Sequence, residues 1–130
     1  MHKHKVAFIC VHNSCRSQMA EALTRMAASD RFECFSAGTE LKTEIDRGAV
    51  QAIKKRFNID MTECQYPKLI SELPEVDIVI TMGCNVECPA LPCSYREDWG
   101  LTDPSGLGQE QYDKVIDEIL VKIENLKKVK

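Results

Sequence analysis

The 130-residue sequence has no long hydrophobic run. The longest near its start, Val6 to Val11, is broken by His12 and Asn13, which is too short for the apolar segment of a signal peptide or for a membrane span. It also has no surplus of positive charge. Seventeen Lys and Arg face twenty Asp and Glu, a formal net charge of -3, so the overall charge points to neither nucleic acid nor membrane, and any bound anion must be held by a local site. Linkers, internal repeats and low-complexity segments are missing as well. With 44% hydrophobic and 28% charged residues, this excludes disorder and collagen-like repeats and predicts one globular domain over residues 1–130. Finally, no Cys-x2-Cys pair and no spaced histidine partner is present, so the commonest zinc signatures are absent.

What the sequence has in excess is cysteine. Seven is below the density of a disulfide scaffold, and an odd number cannot all pair. With no export signal the expected compartment is the reducing cytoplasm, where clustered cysteines act as metal ligands or redox catalysts.

Strand and helix signals alternate along the chain. Lys5 to Cys10 reads as a buried strand, and a helix follows from Ser17, a suitable N-cap, with Met19, Leu23 and Ala27 at helical spacing. Phe32 to Ala37 is a second strand ending at Gly38, and Asp46 to Phe57 places Ala49, Val50, Ile53 and Phe57 on one helical face. Pro67 is expected to open a short helix carrying Ile70 and Leu73. Val76 to Thr81 is a third strand, Met82 to Cys93 a loop or loosely helical insertion, and Ser94 to Trp99 a last short strand. Gln109 to Leu126 is a long amphipathic helix with Tyr112, Val115, Ile116, Ile119, Leu120 and Ile123 on one stripe. The pattern predicts an α/β fold, a four-stranded parallel sheet flanked by helices on both faces. His2 and His4 are expected in an exposed, poorly ordered start.

The first chemical constellation is Cys10-Val11-His12-Asn13-Ser14-Cys15-Arg16-Ser17, between the first strand and the first helix. There the backbone N–H groups can converge at a helix N-terminus and cradle a tetrahedral oxyanion. The helix dipole and the Arg16 guanidinium favour a thiolate at Cys10, and Ser17 is placed to donate a hydrogen bond to that sulfur. Arg16 suits bidentate binding of two oxygens. The bland alternative is a buried cysteine and a surface arginine; a second alternative is a Cys10–His12 dyad.

The stretch Phe8 to Glu21, followed by Ser36-Ala37-Gly38, resembles the arsenate reductases built on the low-molecular-weight protein tyrosine phosphatase fold. Gln18 is similar to the thioredoxin-coupled reductases, whereas the phosphatases usually have proline there; most members carry glycine in place of His12. The resemblance extends to Val79–Pro89 and Glu97–Gly106, close to the full length of the chain. It implies arsenate as substrate, with phosphate or sulfate as analogues, held by residues Val11 to Ser17, and thioredoxin as reductant, with no cofactor. Asp103, before Pro104, matches the acid that protonates the leaving oxygen in the phosphatase fold, and Asp98 is the alternative. Asn13, Glu21 and Ser36 match positions that surround potassium in some relatives, but Thr62 to Pro67 departs from that pattern, and no metal is expected.

A reductase needs two electrons, hence at least one thiol beyond Cys10. Cys84 lies just past the third strand, on the carboxyl edge of a parallel sheet that also carries the Cys10 loop. One helical turn would put Cys84 and Cys88 about 6 Å apart, within disulfide range. Cys10, Cys84 and Cys88 thus form the expected relay, with Cys93 an alternative to Cys88, and the relay requires the Met82 to Cys93 segment to move. Zinc held by Cys84, Cys88, Cys93 and either Cys10 or Cys15 is the rival reading. Cys34 reads as a core residue, Cys15 as a member of the cradle, and Cys64 stands in a loop without an assigned role.

Overall fold

The structure, a computed structural model, describes residues 3–40, 44–83 and 93–129. Four strands, β1 (His4–Cys10), β2 (Phe32–Gly38), β3 (Ile78–Thr81) and β4 (Tyr95–Asp98), form one sheet in the order β2-β1-β3-β4. Every pairing is parallel. The helices are α1 (Arg16–Ala28), α2 (Arg47–Phe57) and α3 (Gln109–Val129). Among the described residues no helix is long and apolar enough to cross a membrane.

The register sets the functional edge. Cys10 pairs with Gly38, Ile9 with Thr81, and Thr81 with Asp98, so all four strands end on one side of the sheet. In an open parallel sheet this carboxyl edge is where ligands bind. Three loops meet there, after Cys10, after Thr81 and after Asp98.

Parallel strands are covered on both faces, and β1 and β3 accordingly bury continuous apolar runs. The larger face carries all three α-helices: Val6, Phe8 and Ile80 share one core with Met19 and Leu23 of α1, Ile53 of α2, and Ile116, Ile119 and Ile123 of α3. The smaller face, Ala7, Ile9, Ala37 and Val79, is covered by the 3-10 turn Ile70–Glu72 with Leu73, Val76 and Cys93. Both faces therefore carry helical structure, unequally.

Several local expectations are corrected. Ser17 does not cap α1; Cys15 occupies that position without a side-chain cap, because the Ser17 hydroxyl is committed to Cys10. The short helix expected from Pro67 is a 3-10 turn that begins only at Ile70, with Leu73 as its C-cap. Lys68 instead accepts a hydrogen bond from the Gly38 N–H and donates one to the Asn13 side chain, which draws residues up to Leu69 alongside β2. His4 is the first residue of β1, half-buried, with its N–H donating to the Arg31 carbonyl. β3 begins at Ile78 rather than Val76, since the Asp77 carboxylate accepts from the Lys5 N–H and its carbonyl accepts from Ser94 and Tyr95. Cys84, Cys88 and most of the expected Met82 to Cys93 segment lie outside the described residues.

Candidate active site

Residues 11–15 join β1 to α1 and wrap the end of β1 tightly. Asn13, fully buried, takes a left-handed φ of 53°, a conformation that asparagine tolerates better than most residues. The turn presses on β2 so closely that a Cβ on Gly38 would stand 2.6 Å from the Val11 carbonyl oxygen and 2.9 Å from the Asn13 nitrogen. Only glycine fits there.

Cys10 sits at the floor, 5% exposed. Its Sγ lies 2.8 Å from Ser17 Oγ and accepts from the Asn13 N–H at 3.2 Å. Asn13 Nδ2 donates to Ser17 Oγ at 2.8 Å. That bond uses one lone pair of the serine oxygen and leaves its proton available to donate to Cys10 when the sulfur is a thiolate. No contact joins Cys10 to His12, whose Nε2 lies 3.7 Å from a Glu40 carboxylate oxygen at the exposed rim.

Behind this pair runs an amide network that the sequence did not reveal. Gln18 Nε2 donates to both the backbone and side-chain oxygens of Asn13 at 3.0 Å, and Gln65 Nε2 donates to Gln18 Oε1 at 2.7 Å. The Lys68 N–H donates to Asn13 Oδ1 at 2.9 Å. Asn13 is thus gripped from three sides. Gln65 stands 47 residues from Gln18, and no local signal marks an isolated loop glutamine.

Arg16 Nη1 donates to the carbonyl of Met82 at 2.7 Å and to that of Leu101 at 2.9 Å. The guanidinium therefore ties the loops following β3 and β4 to the first turn of α1. Its remaining N–H groups are the ones with which it can grip two oxygens of an anion. Opposite, Asp103 Oδ1 accepts from the Ser105 N–H and hydroxyl at 3.1 and 2.7 Å, folding residues 103–105 into a tight Asx turn.

Cys10, Val11, His12, Ser14, Cys15 and Arg16 together with Asp103 and Ser105 line one cavity of about 220 Å³. That is below the roughly 300–1,000 Å³ typical of sites for drug-sized ligands and suits a small ion. Of the residues expected to hold the substrate, Asn13 and Ser17 are not on the cavity wall; they act on the sulfur from behind. Asp98, the alternative acid, is also off the wall, and its carboxylate accepts from Thr81 Oγ1 and the Gly83 N–H at the end of β3.

The other described cysteines divide by environment. Burial pushes the Cys15 thiol up to about 12 against an opposing hydrogen bond from Ser105. Burial does the same to Cys34, up to about 12, inside β2. Cys93 is half-buried on the smaller sheet face, and Cys64 is exposed with its Sγ 3.5 Å from Arg25 Nη1. Glu21, 3% exposed, accepts from Arg25 Nη2 and Ser36 Oγ, each at 2.6 Å, so its buried charge is neutralised within the chain. Among the described residues no three His, Cys, Asp or Glu side chains gather as a metal site; Cys84 and Cys88, which the zinc reading needs, are outside them.

Residues 5–129 match the low molecular weight phosphotyrosine protein phosphatase family. The chain belongs to that family. It is 34% identical over 131 residues to the arsenate reductase of Staphylococcus aureus (strain Newman), covering 98% of each chain. A solved structure described as an arsenate reductase in the phosphate binding state superposes with a TM-score of 0.85 at 31% identity, covering 95% of both chains. A thioredoxin-dependent arsenate reductase of Corynebacterium glutamicum superposes with a TM-score of 0.76 at 33% identity; the match covers 98% of this chain and 61% of that one. The parallel sheet architecture is therefore shared with these relatives.

Proposed function

We propose that the protein reduces arsenate to arsenite in the reducing cytoplasm, using Cys10, Cys84 and Cys88 in turn and thioredoxin as the final reductant. The observation that carries the reading is the meeting of β1 and β3 at the carboxyl edge. The Met82 N–H donates to the Ile9 carbonyl and Arg16 holds the Met82 carbonyl. Cys84 is the second residue after Met82 in the chain, and the proposal assigns it the second thiol of the relay. The reductase names of full-length relatives support the same reading.

In the first step the Cys10 thiolate attacks arsenic, held by the N–H groups of the 11–16 loop and by Arg16, while Asp103 protonates the departing oxygen, which leaves as water. A sulfur–arsenic(V) bond has formed. In the second step the Cys84 thiolate attacks Cys10 Sγ. The sulfur–arsenic bond breaks with its electron pair passing to arsenic, arsenite departs as arsenic(III), and a Cys10–Cys84 disulfide remains. Two thiolates have supplied two electrons. Cys88 then attacks Cys84, releasing the Cys10 thiolate, and thioredoxin's dithiol reduces the resulting Cys84–Cys88 disulfide.

Cys10, Arg16 and Asp103 alone suffice for phosphomonoester hydrolysis, and the family match keeps that as the second reading. One experiment separates the two. After a single arsenate turnover without reductant, mass spectrometry is expected to find one equivalent of arsenite and one disulfide among Cys10, Cys84 and Cys88. With Cys84→Ser, multiple turnover with thioredoxin should cease; undiminished arsenite production would overturn the relay.

A further inference from the structure

Tyr112 enters the sequence reading only as one member of the apolar stripe of α3, yet its hydroxyl ends at a junction between the two halves of the site. The residue is 4% exposed. Its hydroxyl donates to Asp46 Oδ2 at 2.5 Å and accepts from the Gly106 N–H at 3.3 Å. Burial, followed by the Asp46 carboxylate, holds the phenol above its ordinary range, so the donor proton is retained.

Each partner of Tyr112 is tied to one wall of the cavity, though neither lines it. The Asp46 backbone N–H donates to the Ser14 carbonyl in the anion loop at 2.7 Å, while its Oδ2 also caps α2 through the Ala49 N–H at 3.1 Å. Gly106 lies in the turn that carries Asp103 and Ser105, closed by a hydrogen bond from the Leu107 N–H to the Pro104 carbonyl. The chain makes room for this junction at a specific position: a Cβ on Gly48 would fall 2.2 Å from Tyr112 Cζ and Oη. Any side chain at 48 would push the hydroxyl away.

We propose that Tyr112 and Asp46 form a positioning pair that fixes the 103–107 turn against the anion loop, so that Asp103 meets the oxygen it protonates. The inference rests on the reading of Asp103 as the acid. Proton transfer demands hydrogen-bond reach at both ends, and misplacement of about 1 Å can cost about a hundredfold in rate. The anion loop keeps its own supports, Gly38, Asn13 and Gln18, so loss of the Tyr112 hydroxyl should disturb the acid and spare anion binding.

The test is arsenate turnover by the full chain with thioredoxin, comparing Tyr112→Phe, Asp103→Asn and the double variant. Asp103→Asn is expected to lower kcat by roughly a hundredfold or more. Tyr112→Phe is expected to lower kcat about tenfold, with KM and inhibition by inorganic phosphate unchanged, and to cost nothing further on the Asp103→Asn background, since residues acting through one step are not additive. Asp46→Asn, which keeps an oxygen for the α2 cap, should show a smaller loss of the same kind. Unchanged kcat in Tyr112→Phe, multiplying losses in the double variant, or a parallel rise in KM and in the phosphate inhibition constant would each overturn the pair. If Asp103→Asn itself turns over normally, the acid assignment fails first; if Asp103→Asn is slow and Tyr112→Phe is not, only the positioning role fails.

Discussion

Ser17→Ala removes one oxygen and tests the proposed role of Cys10 as the nucleophile. In the native site Ser17 Oγ is 2.8 Å from Cys10 Sγ and accepts from Asn13 Nδ2 at 2.8 Å. A hydrogen bond to a charged acceptor contributes about 1.5–3 kcal/mol. Its loss therefore lowers the thiolate population of Cys10 by roughly 10- to 150-fold wherever the neutral thiol predominates. A less stabilised thiolate is intrinsically more nucleophilic, which recovers a little under half of that loss on a logarithmic scale and leaves alkylation about 4- to 16-fold slower. The alanine also leaves a buried Asn13 donor without its acceptor, at a cost of about 1–3 kcal/mol in stability. The assay is alkylation by iodoacetamide, read cysteine by cysteine by mass spectrometry. Exposed Cys64 serves as the internal standard and its rate should not change. Equal Cys10 rates in Ser17→Ala and the native protein would refute the argument that this hydroxyl stabilises the thiolate.

Two further outcomes follow from packing and from burial. Gly48→Ala drives a methyl group into the Tyr112 ring, and overpacking of about 1–3 kcal/mol should lower Tm by roughly 3–12 °C; the loss should shrink in a Tyr112→Leu background, and an unchanged Tm in the otherwise native chain would contradict the geometry. Cys15 and Cys34 are both raised by burial from 9.0 to about 12, so their folded-state preference for the neutral thiol adds stability that is whole below pH 9.0 and is lost as pH rises toward 12. Each thiol steepens that decline by up to about 1.4 kcal/mol per pH unit. Urea unfolding under reducing conditions between pH 9.0 and 11 should show a shallower decline for Cys34→Val, and equal slopes would count against the shift.

Strands and helices were readable where apolar periodicity and a local punctuator agree. α2 begins after Asp46, whose carboxylate caps it, and ends at Asn58 in the left-handed conformation; both signals are in the residues themselves. α3 buries the stripe its spacing predicts, except that Leu120 is only half-buried. The misread positions are those where a distant partner outbids a local rule. Ser17 has the chemistry of an N-cap, but a sulfur seven residues earlier takes its hydroxyl. Pro67 signals a helix start, but Gly38 and Asn13 hold Lys68 in extended chain. Gln65 and Tyr112 were illegible as site residues for the same reason, because each acts through a hydrogen bond to a residue more than forty positions away.

The sharpest case is the pair of cysteines five positions apart in one loop. The spacing from Cys10 to Arg16 points to Cys10 as the nucleophile and leaves Cys15 as a member of the cradle. Their surroundings divide them: Cys10 Sγ accepts from the Asn13 N–H and shares a hydrogen bond with the Ser17 hydroxyl, which Asn13 Nδ2 also holds. Cys15 meets mainly desolvation, one hydrogen bond from Ser105 and the carboxylates of Asp46 and Asp103, all but the hydrogen bond favouring the neutral thiol. This contrast supports the proposal that attack falls to the sulfur that gathers donors, with the other a neutral wall of the cavity. The same Asp46 that opposes ionisation of Cys15 receives the Tyr112 hydroxyl. One half-buried carboxylate thus opposes ionisation of the second thiol and, in the proposed pair, holds the 103–107 turn against the anion loop of the first.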